Sequence, residues 1–139
     1  MGGRQTRGDT ITAPEKSEVV RTSAGDVWLE GDIIKLVLKK ERITLEDAKQ
    51  VVQHRDELAQ RVKGKANLIA DPGTVDEIDR DARVFIKESF SPEIYGKVAL
   101  VFNNPVQRVI TSFFLGLQRL NVPARAFGRA EDAEEWLKE

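Results

Sequence analysis

The last third of the chain alternates strand and helix signals without a break, and that alternation narrows the folds open to it. Lys97-Val-Ala-Leu-Val-Phe102 is an apolar strand, and Asn103-Asn104-Pro105 ends it and opens a helix. Val106, Val109, Ile110, Phe113, Leu117 and Leu120 then recur at helical spacing on one face. Pro123-Ala-Arg-Ala-Phe127 is a second strand, and Ala130 to Glu139 closes as an amphipathic helix with Ala133, Trp136 and Leu137 on its apolar side. A strand that returns through a helix to another strand implies a parallel sheet with crossover helices.

The middle of the chain follows the same rule. Val27-Trp28-Leu29 and Ile33 to Leu38 are strand-forming runs joined by Gly31-Asp32, a two-residue hairpin turn. Thr44 is placed to cap a helix, with Glu46 and Asp47 in its first turn. Leu45, Ala48, Val51, Val52, Ala59 and Val62 form its apolar stripe, and Gly64 is its stop. Ala66-Asn-Leu-Ile-Ala70 is a strand that ends in the turn Asp71-Pro72-Gly73. Ile78, Ala82, Phe85 and Ile86 are spaced for a second helix, which Ser91-Pro92 breaks. The order is hairpin, helix, strand, helix, strand, helix, strand, helix, with order beginning near Val19.

Composition bounds the rest. A chain of 139 residues is long enough for one domain with its own core. With a net charge of −1, it carries no bulk field to draw in nucleic acid or an anionic membrane. It has no cysteine, which excludes disulfides, thiol catalysis and cysteine-bound zinc. No apolar run approaches the roughly 20 residues a membrane helix needs, and the N-terminus lacks the apolar core of a secretory signal. Residues 1–17 are poor in large apolar side chains and read as a flexible tail. The tripeptide Arg7-Gly8-Asp9 within it is a chance match to an adhesion motif. A single domain then spans 18–139.

In this order, Ile43-Thr-Leu-Glu-Asp-Ala48, Leu68-Ile-Ala-Asp71, Val98-Ala-Leu-Val-Phe102, Phe113-Phe-Leu-Gly-Leu117 and Glu131-Asp-Ala-Glu-Glu-Trp-Leu137 make the chain resemble the STAS superfamily, in its small bacterial stand-alone, SpoIIAA-like (STAS/SEC14) branch. The resemblance covers about residues 19–139. It implies an α/β fold with a mixed, mostly parallel sheet, an N-terminal hairpin and about four helices. It also implies a cytoplasmic regulatory or protein-interaction module, commonly a homodimer. Antagonists of anti-sigma factors in this superfamily carry a phosphorylatable serine after an Asp at the start of the second helix. The matching place here is Asp79-Arg80-Asp81, where Arg80 stands in for the serine, so the resemblance implies no phosphorylation switch. The other half of the family label implies a carrier, with a lipid or nucleotide between helices and sheet.

The residues themselves offer few chemical constellations. His54 is the one histidine, and no nucleophile is tied to it by recognisable spacing. Asp71, Asp76, Glu77, Asp79 and Asp81 are an acidic cluster, but their spacing departs from the calcium loop and suits helix capping instead. Between Glu93 and Glu131 the chain has no acid and carries Lys97, Arg108, Arg119, Arg125 and Arg129. In parallel α/β sheets, ligands gather beyond the carboxyl ends of the strands. Asn103 or Asn104 is placed to cap the third helix, with Pro105 in its first turn, and the alternative is that the free amides there, with Arg108 one turn in, hold a small anion. The expected working rim joins Asp71, Asp79, Arg80, Asn103, Asn104 and Arg108. Leu115, on the far face of the third helix, is the expected self-association residue. The reading is a non-catalytic module without cofactor or metal, working through an unknown protein partner. A small anionic or apolar ligand is the alternative.

Overall fold

The computed structural model describes residues 11, 18–102 and 122–139. Within them, eight strands and three helices follow in order. They are β1 (Val20–Arg21), β2 (Gly25–Glu30), β3 (Ile33–Leu38), β4 (Arg42–Ile43), α1 (Leu45–Ala59), β5 (Ala66–Asp71), β6 (Glu77–Ile78), α2 (Arg80–Glu88), β7 (Tyr95–Val101), β8 (Ala124–Phe127) and α3 (Ala130–Leu137). Six strands form the main sheet in the order β1-β2-β3-β5-β7-β8. The pairs β1–β2 and β2–β3 are antiparallel, and β3–β5, β5–β7 and β7–β8 are parallel. This is the mixed, mostly parallel sheet with an N-terminal hairpin that the alternation of signals implied. The helix expected over Val106 to Leu120 lies outside the described residues.

Local chemistry accounts for the element borders. Glu30 pairs with Ile33 across the hairpin, so Gly31 and Asp32 form the whole turn. Gly31 adopts φ 61° at the first turn position, where a two-residue turn favours glycine. Thr44 caps α1 by a reciprocal box: its hydroxyl accepts from the Asp47 amide, and the Asp47 carboxylate accepts from the Thr44 amide. The helix ends at Ala59, earlier than the expected stop at Gly64. Ile78 belongs to β6 rather than to the second helix, which begins at Arg80.

Strand alternation divides the core in two. Ile34, Leu36 and Leu38 of β3, Leu68 and Ala70 of β5, and Val98 and Leu100 of β7 pack with Ala48, Val51 and Leu58 of α1 and Ala82 of α2. Ile33, Ile69, Ala99 and Val101 face the other way and pack with Ala130, Ala133 and Leu137 of α3, with Ile11 at the margin. Helices on both faces bury the parallel strands on both sides, which is why β5 and β7 read as nearly continuous apolar runs.

A second, two-stranded parallel sheet pairs Arg42 with Glu77 and Ile43 with Ile78. It ties the loop after β5 to the loop after β3 at the carboxyl end of the main sheet, and it sets the start of α2.

Candidate functional site

The rim at the carboxyl ends of β3 and β5 is built from the turn Asp71-Pro72-Gly73. Gly73 adopts φ 59°, and a Cβ there would lie 1.9 Å from the carbonyl oxygen of Leu38. Only glycine lets the loop pass that close to the end of β3. The Asp71 carboxylate is buried and accepts from the Gly73 amide at 2.8 Å, closing the turn from within.

The loop then runs alongside residues 41–43. The amides of Asp76 and Glu77 donate to the Glu41 carbonyl at 2.9 and 3.1 Å, and the Asp79 amide donates to that of Ile43 at 2.9 Å. Arg42 clasps Asp79 with both prongs of its guanidinium, Nε to Oδ1 at 2.8 Å and Nη2 to Oδ2 at 3.1 Å. The hydrogen bond and charge of Asp79 push the Arg42 pKa up. Asp79 precedes the first residue of α2, yet its carboxylate is turned to Arg42 and makes no capping bond. Arg80 and Asp81 in the first turn are exposed, as is Val84 one turn on, at 47%.

The expected rim residues are thus placed for different tasks. Asp71 closes a turn, Asp79 latches a loop, and Arg80 faces outward. Asn103, Asn104, Arg108 and Leu115 lie outside the described residues. Within the acidic cluster Asp71 and Asp79 are held apart by these separate tasks, and among the described residues no three such side chains converge as a metal would need.

Next to this rim, the start of α1 holds a second group of charges. The buried Asp47 accepts from Ser23 Oγ at 2.6 Å, Lys40 Nζ at 2.7 Å and the Thr44 hydroxyl at 3.0 Å. Burial opposes its ionisation, but Lys40, Ser23 and Thr44 outweigh it and hold the carboxyl well below the usual carboxylate range. A carboxylate that acidic is a poor base, so its contact with Ser23 does not make that serine a nucleophile. His54 meets Glu57 one helical turn away, Nδ1 to Oε1 at 3.2 Å, on an exposed part of α1.

Sequence reasoning passed over the most buried charge among the described residues. Arg55, on the buried face of α1, is 2% exposed. Its Nε donates to the Tyr95 hydroxyl, and its Nη2 donates to Asp56 and to the carbonyl and hydroxyl of Ser89. Its plane lies over the rings of Phe90 and Tyr95, 4.3 and 4.6 Å from their centroids. The signal was present: Arg55 falls inside the stripe of Ala48, Val51, Val52, Ala59 and Val62, where a charge is tolerated only if it is paired.

No helix among the described residues is long and apolar enough to cross a membrane. No curated protein matches the sequence. The chain is similar in structure to an uncharacterised protein of the DUF3478 family from Shewanella loihica PV-4, which has a SpoIIAA-like fold. The TM-score is 0.55 at 14% identity, over 92% of this chain and 99% of that one. A protein of unknown function from Arthrobacter sp. FB24 is 29% identical over 85% of this chain and 95% of its own, with a TM-score of 0.31. The sequence model of the family described as "Domain of unknown function (DUF7793)" matches residues 27–139. The chain therefore belongs to the DUF7793 family and carries a SpoIIAA-like fold.

Proposed function

We propose that this is a non-catalytic regulatory or protein-interaction module of the bacterial cytoplasm that docks a protein partner at the start of α2. The carrying observation is the exposure of Val84 beside Arg80 and Asp81 on a nine-residue helix whose only fully buried side chain is Ala82. An apolar contact framed by one charge of each sign is the composition of a small docking surface. The Arg42–Asp79 clasp supports the reading, because it fixes the approach to α2 without using Arg80. With arginine at position 80, such docking runs without a serine phosphorylation switch there. Self-association as a homodimer belongs to the same reading.

A photo-crosslinking amino acid placed at Val84, with one at the exposed Lys49 of α1 as control, tests it in the native host. The reading expects a discrete adduct from position 84 alone. Equal adducts from both positions, or none, would remove α2 as the docking element.

The second reading, a small-molecule carrier, has one observation in its favour. An apolar cavity lies between α1, α2 and the sheet, lined among others by Leu36, Val52, Leu68 and Phe90. Its volume of about 70 Å³ is far below the few hundred a lipid or nucleotide occupies, which puts this reading second.

A further inference from the structure

The strand run Ile33-Ile-Lys-Leu-Val-Leu38 places one charged residue in the middle of the sheet, and the fold buries it. Lys35 is 7% exposed. Its Nζ donates to Glu30 Oε2 at 3.1 Å and to Glu134 Oε2 of α3 at 3.4 Å. Glu30 also takes the indole N–H of Trp28 at 2.9 Å. An ammonium has three donors, and these carboxylates take two of them. Glu30 and Glu134 are each about a third exposed, and ion pairs that water screens contribute little to stability, so stability alone gives little reason for the fold to keep this one.

Lys35, Glu30 and Glu134 form one wall of a groove of about 630 Å³ between the β2–β3 turn and the last turn of α3. Asp32, Asn67 and Lys138 complete it. It lies at the end of the sheet opposite the Gly73 turn, so it is separate from the rim at α2. Its volume falls within the range of small-molecule sites. Three carboxylates, Glu30, Asp32 and Glu134, face two ammonium groups, Lys35 and Lys138. The local field therefore favours a cation, while the remaining Lys35 donor calls for an acceptor.

We propose that this groove binds a small molecule carrying both a primary ammonium group and a hydrogen-bond acceptor, the class of amino alcohols and amino acids. The ammonium sits between Asp32 and Glu134, and Lys35 donates to the acceptor.

The probe is ethanolamine, titrated into the full chain and followed by amide proton–nitrogen spectra, with ethanol as the control that lacks the charge. Saturable shifts at Gly31, Asp32, Asn67, Leu137 and Lys138, absent with ethanol, are the expected result. Asp32→Asn and Glu134→Gln should each weaken binding by about tenfold or more, since each removes a charged acceptor. Shifts that never saturate, or that spread over surface carboxylates, would overturn the proposal. So would unchanged affinity in Asp32→Asn, which decides the matter even if Glu134→Gln loosens α3, because Asp32 is an exposed turn residue.

Discussion

The guanidinium of Arg55 reaches from α1 to the hydroxyl of Tyr95 at the start of β7, Nε to Oη 2.9 Å, across 40 residues of chain. Tyr95 in turn donates to Asp56, so helix, strand and the Ser89 corner are closed into one network. Arg55→Met keeps the apolar stem but leaves the buried Tyr95 hydroxyl and the Ser89 carbonyl without their donor. Breaking a buried charged network costs about 3 kcal/mol, equivalent to a fall in Tm of roughly 10 °C for a domain of this size. Tyr95→Phe keeps the ring and removes one hydroxyl, so it should cost about 1 kcal/mol. Denaturant melts of the two variants check both the size and the order of these effects.

Burial holds the Tyr95 hydroxyl protonated well above the ordinary tyrosine range, with Arg55 opposing and Asp56 adding to the shift. A group whose pKa is raised by folding contributes stability below its unfolded value and loses it as pH rises. The wild-type protein should therefore lose stability above about pH 10, and Tyr95→Phe should lose less of it.

Asp47 has the opposite sign. Its pKa is depressed in the folded protein, so its contribution is present above the unfolded aspartate range and is lost as pH falls. Asp47→Asn gives up the contacts with Lys40 and Ser23 and weakens the cap on α1. We expect a loss of about 2 kcal/mol at neutral pH. The gap between wild type and variant should shrink as pH falls below about 4. Melts at neutral pH and in acid decide it: a gap independent of pH would show that the carboxylate is not the group that stabilises this corner.

Apart from the two-residue β1, the main sheet was legible in the sequence because its signals are local. Gly31-Asp32 sets the hairpin, Thr44 sets the cap, and Asp71-Pro72-Gly73 sets the turn, each within a few residues. The pairing of β4 with β6 was not legible, since two-residue strands carry no period to read. Its determinant is a contact between Arg42 and Asp79, 37 residues apart. The buried charges were missed for a related reason. Periodicity ranks residues by polarity, so it gives Arg55 and Lys35 no place in a core, whereas they are positions where partners from other elements converge. Of the expected rim, Arg80 is exposed, while Asp71 and Asp79 are occupied with holding the loop.

Arg42→Ala tests what the clasp does. Its side chain is exposed, so melting temperature should hardly change. The segment from Asp76 to Asp79 should instead open more often, seen as faster amide exchange at Glu77 and Asp79 with the core unaffected. Exchange that is unchanged there would mean that the β4–β6 backbone pairs hold the loop without the clasp.

Asn67 shows how the second core is fastened. Its Nδ2 donates to the Leu137 carbonyl at 3.0 Å, while its Oδ1 accepts from the Lys97 amide at 2.9 Å. Lys97 itself donates to the carbonyls of Trp136 and Glu139 at 2.9 and 3.1 Å. The last turn of α3 thus has its free carbonyls satisfied by two sheet side chains, one of them a cation at the negative end of the helix. Asn67→Ala removes one of these ties and leaves the Lys97 amide without its acceptor. It should cost about 2 kcal/mol, with amide protection lost first from the end of α3 rather than evenly across the protein. Lys97→Met spares the Asn67 bonds and keeps much of the stem on Trp136, so its effect should be smaller and confined to the same turn. If protection in α3 survives both substitutions, the helix is held by Ala130, Ala133 and Leu137 alone, and the polar fastening is incidental.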